Sequence, residues 1–299
     1  MKKKIILSLT LFSLVLILPA QTAVFKIISS KGQTEIKRGN KWIPVSRGGK
    51  VYEGSRLRIK ENGYLGLVHK SGKPVSLKKQ GEYDVNTLAS KINVRSAGFA
   101  SKYGNYIANK MTSSSSSMVS ARISGSVTRD LFDNEDLSVL VGEDSKIRLS
   151  PTLIKWDTKE AGPYKVTFMN LFEEVIYETT TDKKEVEVNL AGKNVQGNIC
   201  LLKVLPINNP NAKVTHRKFD VITGSTATKI NTDLTEIERE LDLNNALDNY
   251  FFATYFEDKK LNLEALHYYE KAMKMEPDVE DYKSAYNNFL IKNGLKNMN

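Results

Sequence analysis

Residues 24–77 read VFKIISSKGQTEIKRGNKWIPVSRGGKVYEGSRLRIKENGYLGLVHKSGKPVSL. Apolar residues alternate with polar ones in short runs over 24–28, 33–37, 42–45, 56–60, 64–68 and 74–77. Arg38-Gly39-Asn40, Arg47-Gly48-Gly49, Gly54, Asn62-Gly63 and Ser71-Gly72 stand between them. A period of two, broken at intervals by Gly and Asn, predicts an all-β module with tight turns. In Arg56 to Lys60 the apolar side chains face one way and the basic ones the other, which places much of the positive charge on solvent faces.

The stretch resembles the FecR-type domain of bacterial periplasmic proteins, over about 65 residues. That family shows a W-x-P/L strand, then G-x-x-L/V-x-x-G-D-x-L/I and a D-G hairpin. Trp42, Pro44, Gly48, Val51, Gly54, Leu57 and Lys70-Ser71-Gly72 match. Ser55 and Ser71 depart from it, both where Asp is usual. The resemblance implies a small β-domain of 24–92 and a periplasmic sensor or regulatory role.

Upstream, Met1-Lys2-Lys3-Lys4 precedes an apolar run over 5–18, and Pro19, Ala20, Thr22 and Ala23 follow. A helix over that run would reach about 21 Å, short of the ~30 Å of a bilayer core. A charged start, a short apolar middle and a small-residue end predict a cleavable export signal over 1–23. The lone cysteine, Cys200, is far from the cleavage site, which excludes a bacterial lipid anchor there. It also excludes an intrachain disulfide, and its apolar run predicts a buried, inert thiol. A periplasmic or secreted location follows.

The charge is unevenly spread. Residues 24–112 hold 18 Lys and Arg against 5 Asp and Glu, a net of +13, and residues 113–299 hold 23 against 29, a net of −6. A basic front predicts an anionic partner. In an exported protein that means an anionic glycan or a membrane surface, with no nucleic acid.

Downstream, residues 93–136 read as a linker. It has a short helix near 97–111, a five-serine run at 113–117, and a strand over 119–127. Residues 137–224 carry about eight short strand patterns, which predict a β-sandwich. SPTLIKWDTKEAGPYKVTFMNLFEEVIYE, residues 150–178, resembles the immunoglobulin- or fibronectin-like modules of exported bacterial proteins, where Trp156 would fill the core.

From 232 to 299 the period changes to that of helices, with Thr235 and Glu238 as a capping box. ALDNYFFATYFEDKKLNLEALHYYEKAMKMEP, residues 246–277, resembles a tetratricopeptide repeat. Phe252, Ala253, Phe256, Ala265, Tyr269, Ala272 and Pro277 match, and Asn249 replaces the usual Trp. The resemblance puts Tyr250, Thr254 and Glu257 on the inner face of the first helix, where such repeats hold protein partners. The flanks 234–247 and 282–295 would close the unit.

The expected architecture is multidomain and mainly β, with a C-terminal helical hairpin. No catalytic, cofactor or metal constellation is legible. His69, His216 and His267 stand apart, and Ser76-Leu77-Lys78-Lys79 matches S-x-x-K only formally, in a strand context. The expectation is a non-catalytic exported binding or scaffold protein of the bacterial cell envelope, holding an envelope protein partner. A sensor of FecR type and a cell-wall glycan binder are the alternatives.

Overall fold

The computed structural model describes residues 22–93, 98–123, 135–195 and 197–295. The export-type start therefore lies almost wholly outside the described residues, and Ala23, its last predicted residue, already opens the first strand. Strands β1 (Ala23–Lys31), β2 (Thr34–Arg38), β3 (Lys41–Pro44), β4 (Lys50–Tyr52), β5 (Arg56–Ile59), β6 (Tyr64–His69), β7 (Pro74–Leu77) and β8 (Gly81–Asp84) form two antiparallel sheets. Their orders are β4-β1-β6-β7 and β3-β2-β5-β8. Phe25, Ile27, Val51, Leu57, Ile59, Leu65 and Leu67 fill the space between them. A short α1 (Val85–Ser90) follows, capped by the Asp84 carboxylate, which accepts from the Thr87 amide.

Helix α2 (Phe99–Ile123) runs through the serine tract. The reading of a flexible serine run and a strand from Val119 is corrected here: the backbone is helical to Ile123, and 124–127 lie outside the described residues. The physical reason lies N-terminal to the serines. Phe99, Ile107 and Met111 are buried against other helices, and that packing supports the helix that serine propensity alone would not.

The second β-module comprises β9 (Leu137–Val139), β10 (Lys146–Ile147), β11 (Thr152–Thr158), β12 (Tyr164–Met169), β13 (Val175–Thr181), β14 (Glu185–Val188), β15 (Ile199–Pro206) and β16 (Arg217–Val221). A five-stranded sheet, β10-β16-β15-β12-β13, faces a three-stranded one, β14-β11-β9. Trp156 is buried in their core, edge-on to Tyr164. Cys200 is buried there too, and burial pushes its thiol up to about 12.

Four helices complete the chain: α3 (Gly224–Glu240), α4 (Ala246–Asp258), α5 (Asn262–Met275) and α6 (Glu280–Lys292). Helix α3 begins at Gly224, so the capping box at Thr235 does not form; Thr235 lies mid-helix and its hydroxyl donates to the Asn231 carbonyl. Helices α4 and α5 form an antiparallel hairpin with Ala265 and Ala272 fully buried. Among the described residues no helix is long and apolar enough to cross a membrane.

The helices do not trail behind the β-modules. Ile28, Tyr64 and Val68, on the outer face of the first sheet, belong to the same core as α2 to α6. All six residues of β6 are buried, because the strand is covered by the second sheet on one side and by helices on the other. Helix α4 sits on it closely. A Cβ at Gly66 would lie 3.4 Å from a Leu247 methyl and 2.4 Å from the Ser29 hydroxyl. The hairpin after β6 touches α2 backbone to backbone: a Cβ on Gly104 would lie 2.2 Å from the Gly72 Cα. Only glycine permits that approach.

Candidate functional site

The predicted partner face is occupied by the chain itself. Tyr250 and Thr254 are buried, and Glu257 is largely so. The Tyr250 hydroxyl accepts from the Arg47 guanidinium at 3.4 Å, and Arg47 also donates to Asp281 at 2.9 Å and to the Met111 carbonyl. Thr254 donates back to the Tyr250 carbonyl at 3.0 Å. Glu257 accepts from the Tyr269 hydroxyl at 2.6 Å and pairs with Lys292. Beside them Tyr64 and Tyr282 share a hydrogen bond of 2.7 Å, and Ser29 donates to Tyr282 at 3.2 Å. Burial pushes the Tyr250 phenol up to about 12. Tyr250, Thr254 and Glu257 are thus corrected from partner-binding to internal. The face that a repeat offers to a partner is filled by Arg47, Ser29 and Tyr64, contributed from about two hundred residues away. One signal was present in the sequence: apart from Asp248 and Asn249, residues 246–256 are apolar, aromatic or small on every side, and such a helix is buried.

Ser76, of the formal S-x-x-K match, sits in β7 and accepts from Asn245 at 2.6 Å. Asn245 also caps α4, accepting from the Leu247 amide at 2.9 Å, so this serine anchors a helix start. The three histidines remain apart. His69 bonds Ser71 at 2.8 Å, and burial lowers the basicity of both His69 and His267.

Two concave surfaces merit description. A cleft of about 710 Å³ lies where the second β-module meets the ends of α4 and α6, lined in part by Glu143, Asp144, Glu257, Lys260 and Lys292. Its cations are matched: Lys110 with Asp258 at 3.6 Å, Lys260 with Asp144 at 3.7 Å, and Lys292 with Glu257.

The other is a depression of about 410 Å³ at one end of the first β-module. It is lined by Ile36, Lys37, Arg38 and Gly39 at the β2–β3 turn and by Lys50, Tyr52, Glu53, Gly54 and Ser55 around β4. Among the described residues Lys37, Arg38 and Lys50 have no carboxylate within salt-bridge distance, and Glu53 is turned toward Lys70 at 3.7 Å. Lys50 also stands opposite Lys26 across β1 and β4. Burial and the Lys50 charge together lower the Lys26 ammonium. Like charges on paired strands repel, so this end of the module holds uncompensated positive charge. Trp42 lies opposite Lys37 on β3, and the Arg58 guanidinium stacks on it at 4.1 Å. The arrangement suits an anion, with Tyr52 and Ser55 hydroxyls at hand for hydrogen bonding.

No family model matches the chain, and no curated protein matches it. A solved structure of PorZ, an essential bacterial surface component of the type-IX secretion system of Porphyromonas gingivalis, aligns with a TM-score of 0.22 and 13% identity. The alignment covers 62% of this chain and 26% of that one. A likeness of that size carries no argument about fold or role.

Proposed function

We propose that the protein is a non-catalytic binding and scaffold protein of the bacterial cell envelope, exported by its N-terminal signal. It docks an anionic glycan through the depression at Lys37, Arg38 and Lys50. The observation that carries this reading is that three cations, each without a carboxylate partner among the described residues, line one depression of the first module. Several other cations of the module are drawn off by the C-terminal region: Lys31, Arg47 and Lys78 are paired with Asp278, Asp281 and Glu276. The FecR and tetratricopeptide resemblances stay with this reading. Paired four-stranded sheets and a hairpin with buried alanines are compatible with them, and the role of the hairpin changes from capturing a partner to clamping the first module.

The test is binding of the full chain to polygalacturonate, with phosphatidylglycerol vesicles as the lipid arm. Binding to the polyuronate should weaken steeply between about 0.05 and 0.5 M salt, because screening shortens to a few ångströms over that range. Lys37→Glu with Arg38→Glu should weaken it at least tenfold. Salt-independent binding, an unaffected double variant, or binding to vesicles alone would overturn the glycan reading.

A further inference from the structure

Among the described residues the four sheets present eight terminal strands, and one differs from the rest. β3, β4, β7, β8, β9, β10 and β14 are two to four residues long. Short strands, Pro44 and Pro74, and the charges of Lys50 and Glu187 blunt those edges in the usual way. β13, by contrast, runs seven residues, Val-Ile-Tyr-Glu-Thr-Thr-Thr, with no proline or lysine. It pairs with β12 on one side, and among the described residues no strand pairs with the other. Alternate residues of such an edge direct N–H and C=O groups outward.

A second observation lies at the same place. The largest apolar exposures among the described residues cluster at the start of β13: Leu171 at 58%, Phe172 at 81% and Val175 at 61%. The turn that carries them is rigidly built. The buried Asn170 side chain accepts from the Phe172 and Glu174 amides at 2.9 and 3.0 Å and donates to the Glu174 carboxylate at 2.6 Å. The polar groups of the turn are satisfied inside while its apolar side chains point out, so they are presented without an ordering cost.

We infer that β13 is a strand-addition site for an extended segment of another protein, seated along its free edge. The segment carries an apolar residue against Phe172 and Val175 and a basic residue beside Glu178. Main-chain hydrogen bonds supply the affinity and these two side-chain positions supply the selectivity. The charge of the site sets the partner's chemistry: Glu173 and Glu174 are exposed around it, and the exposed Glu178 pairs at 3.4 Å with Lys165 of β12, a half-exposed contact that a basic residue of the segment would share. They disfavour an anionic membrane surface. They also disfavour a second copy, because antiparallel self-pairing about the strand's midpoint brings Glu178 opposite Glu178. The inference is independent of the basic depression, and charge reversal at Lys37 and Arg38 leaves it unchanged.

The experiment selects a displayed library of random nine-residue peptides on the immobilised full chain. The recovered peptides are then measured by calorimetry, with amide exchange of β13 as the structural readout. The expected result is enrichment of alternating apolar and basic positions, slowed exchange of outward β13 amides, and loss of binding when a proline is placed mid-peptide. Phe172→Ser and Glu178→Lys should each weaken the selected peptides at least tenfold. Both sites are exposed, and unchanged melting of the variants would show that folding is intact. Failure to enrich any peptide would overturn the inference, as would binding indifferent to both substitutions. Concentration-dependent dimers that protect the same amides would overturn it in favour of self-pairing, and vesicle binding through Phe172 in favour of a lipid surface.

Discussion

The C-terminal helices meet the two β-modules in different ways. Against the first module they pack, together with α2, mainly through glycine and aromatic rings: Gly66 under Leu247, Gly72 on Gly104 of α2, and Tyr64 edge-on to Tyr282 at 6.0 Å. Lys31, Arg47 and Lys78 are paired to Asp278, Asp281 and Glu276 around that contact. Against the second they are joined by charge. Arg148 donates to the buried Glu264 at 3.0 Å, Lys155 pairs with Glu270 at 2.6 Å, and Asn262 donates to Ser145 at 2.9 Å. Leu263 crosses into the sandwich core, and Leu140 and Ile222 of the second module join the helical core. The first junction is a shared hydrophobic core, in which each large buried side chain is worth about 1.5–3 kcal/mol. The second is a mainly polar contact, with Leu140, Ile222 and Leu263 as a smaller apolar seam. Shape complementarity leads at one, and matched charges lead at the other.

The sharpest break in that comparison is removal of one buried charge. Glu264→Ala should strand Arg148 and cost about 3–5 kcal/mol. Arg148→Met together with Glu264→Leu should recover most of it, read by chemical denaturation of the full chain. Next comes Gly104→Val, which drives a side chain into the Gly72 backbone. It should cost about 3 kcal/mol, with no rescue by charge or size changes elsewhere. Rescue in the second case and not the first would invert the comparison.

Ala265→Phe should overpack the α4–α5 crossing and cost about 1–3 kcal/mol. The thermal transition of the helices and first module should fall together, while the sandwich melts as before. A transition confined to the helices would show that the two do not share a core.

A smaller, pH-dependent effect belongs to Asp248. It is buried at the start of α4, accepting from the Asp242 amide at 2.8 Å, and burial raises its carboxyl to about 7. Its unfolded value is near 3.9. Between about pH 4 and 7 the folded chain holds a proton that the unfolded chain has lost, so stability falls as pH rises through that window. Glu264, raised by burial, acts in the same direction. Asp248→Asn should therefore gain on the wild type as pH climbs from 4 to 7, by at most about 1.4 kcal/mol per unit, and hold a constant advantage above it. A difference independent of pH would refute the assignment. The smallest effect is expected from Lys31→Ala. Its pair with the exposed Asp278 reinforces the first junction at the rim, and its loss should cost less than about 1 kcal/mol.

Local patterns carried most of the fold. The alternation at Arg56–Ile59, the apolar run around Trp156 and the small residues Ala265 and Ala272 each announce their element, because each is a property of a few neighbours in the chain. Helix α2 was partly legible, since its first half carries the buried Phe99, Ile107 and Met111 and a serine run follows. The candidate site was less so. Tyr250, Thr254 and Glu257 sit on the inner face that a repeat pattern assigns them, yet what fills that face is Arg47, and no local period reports a contact so remote. The charge imbalance held the clue in unread form. Residues 225–299 carry 9 Lys and Arg against 14 Asp and Glu, a net of −5. Part of the anionic partner expected for the basic front is the end of the same chain.

That interlock has a consequence for how the molecule comes into being. Strand β1 precedes α6 by about 250 residues, yet among the described residues Ile28, Tyr64 and Val68 share their core with helices that follow residue 98. A chain delivered from its N-terminus completes the interior of its first sheet pair early and must leave the outside bare until almost everything has arrived. Native pairings this distant in sequence form slowly, and an uncovered apolar sheet invites aggregation meanwhile. Chains halted before α4 should therefore clump rather than persist as a tidy β-module.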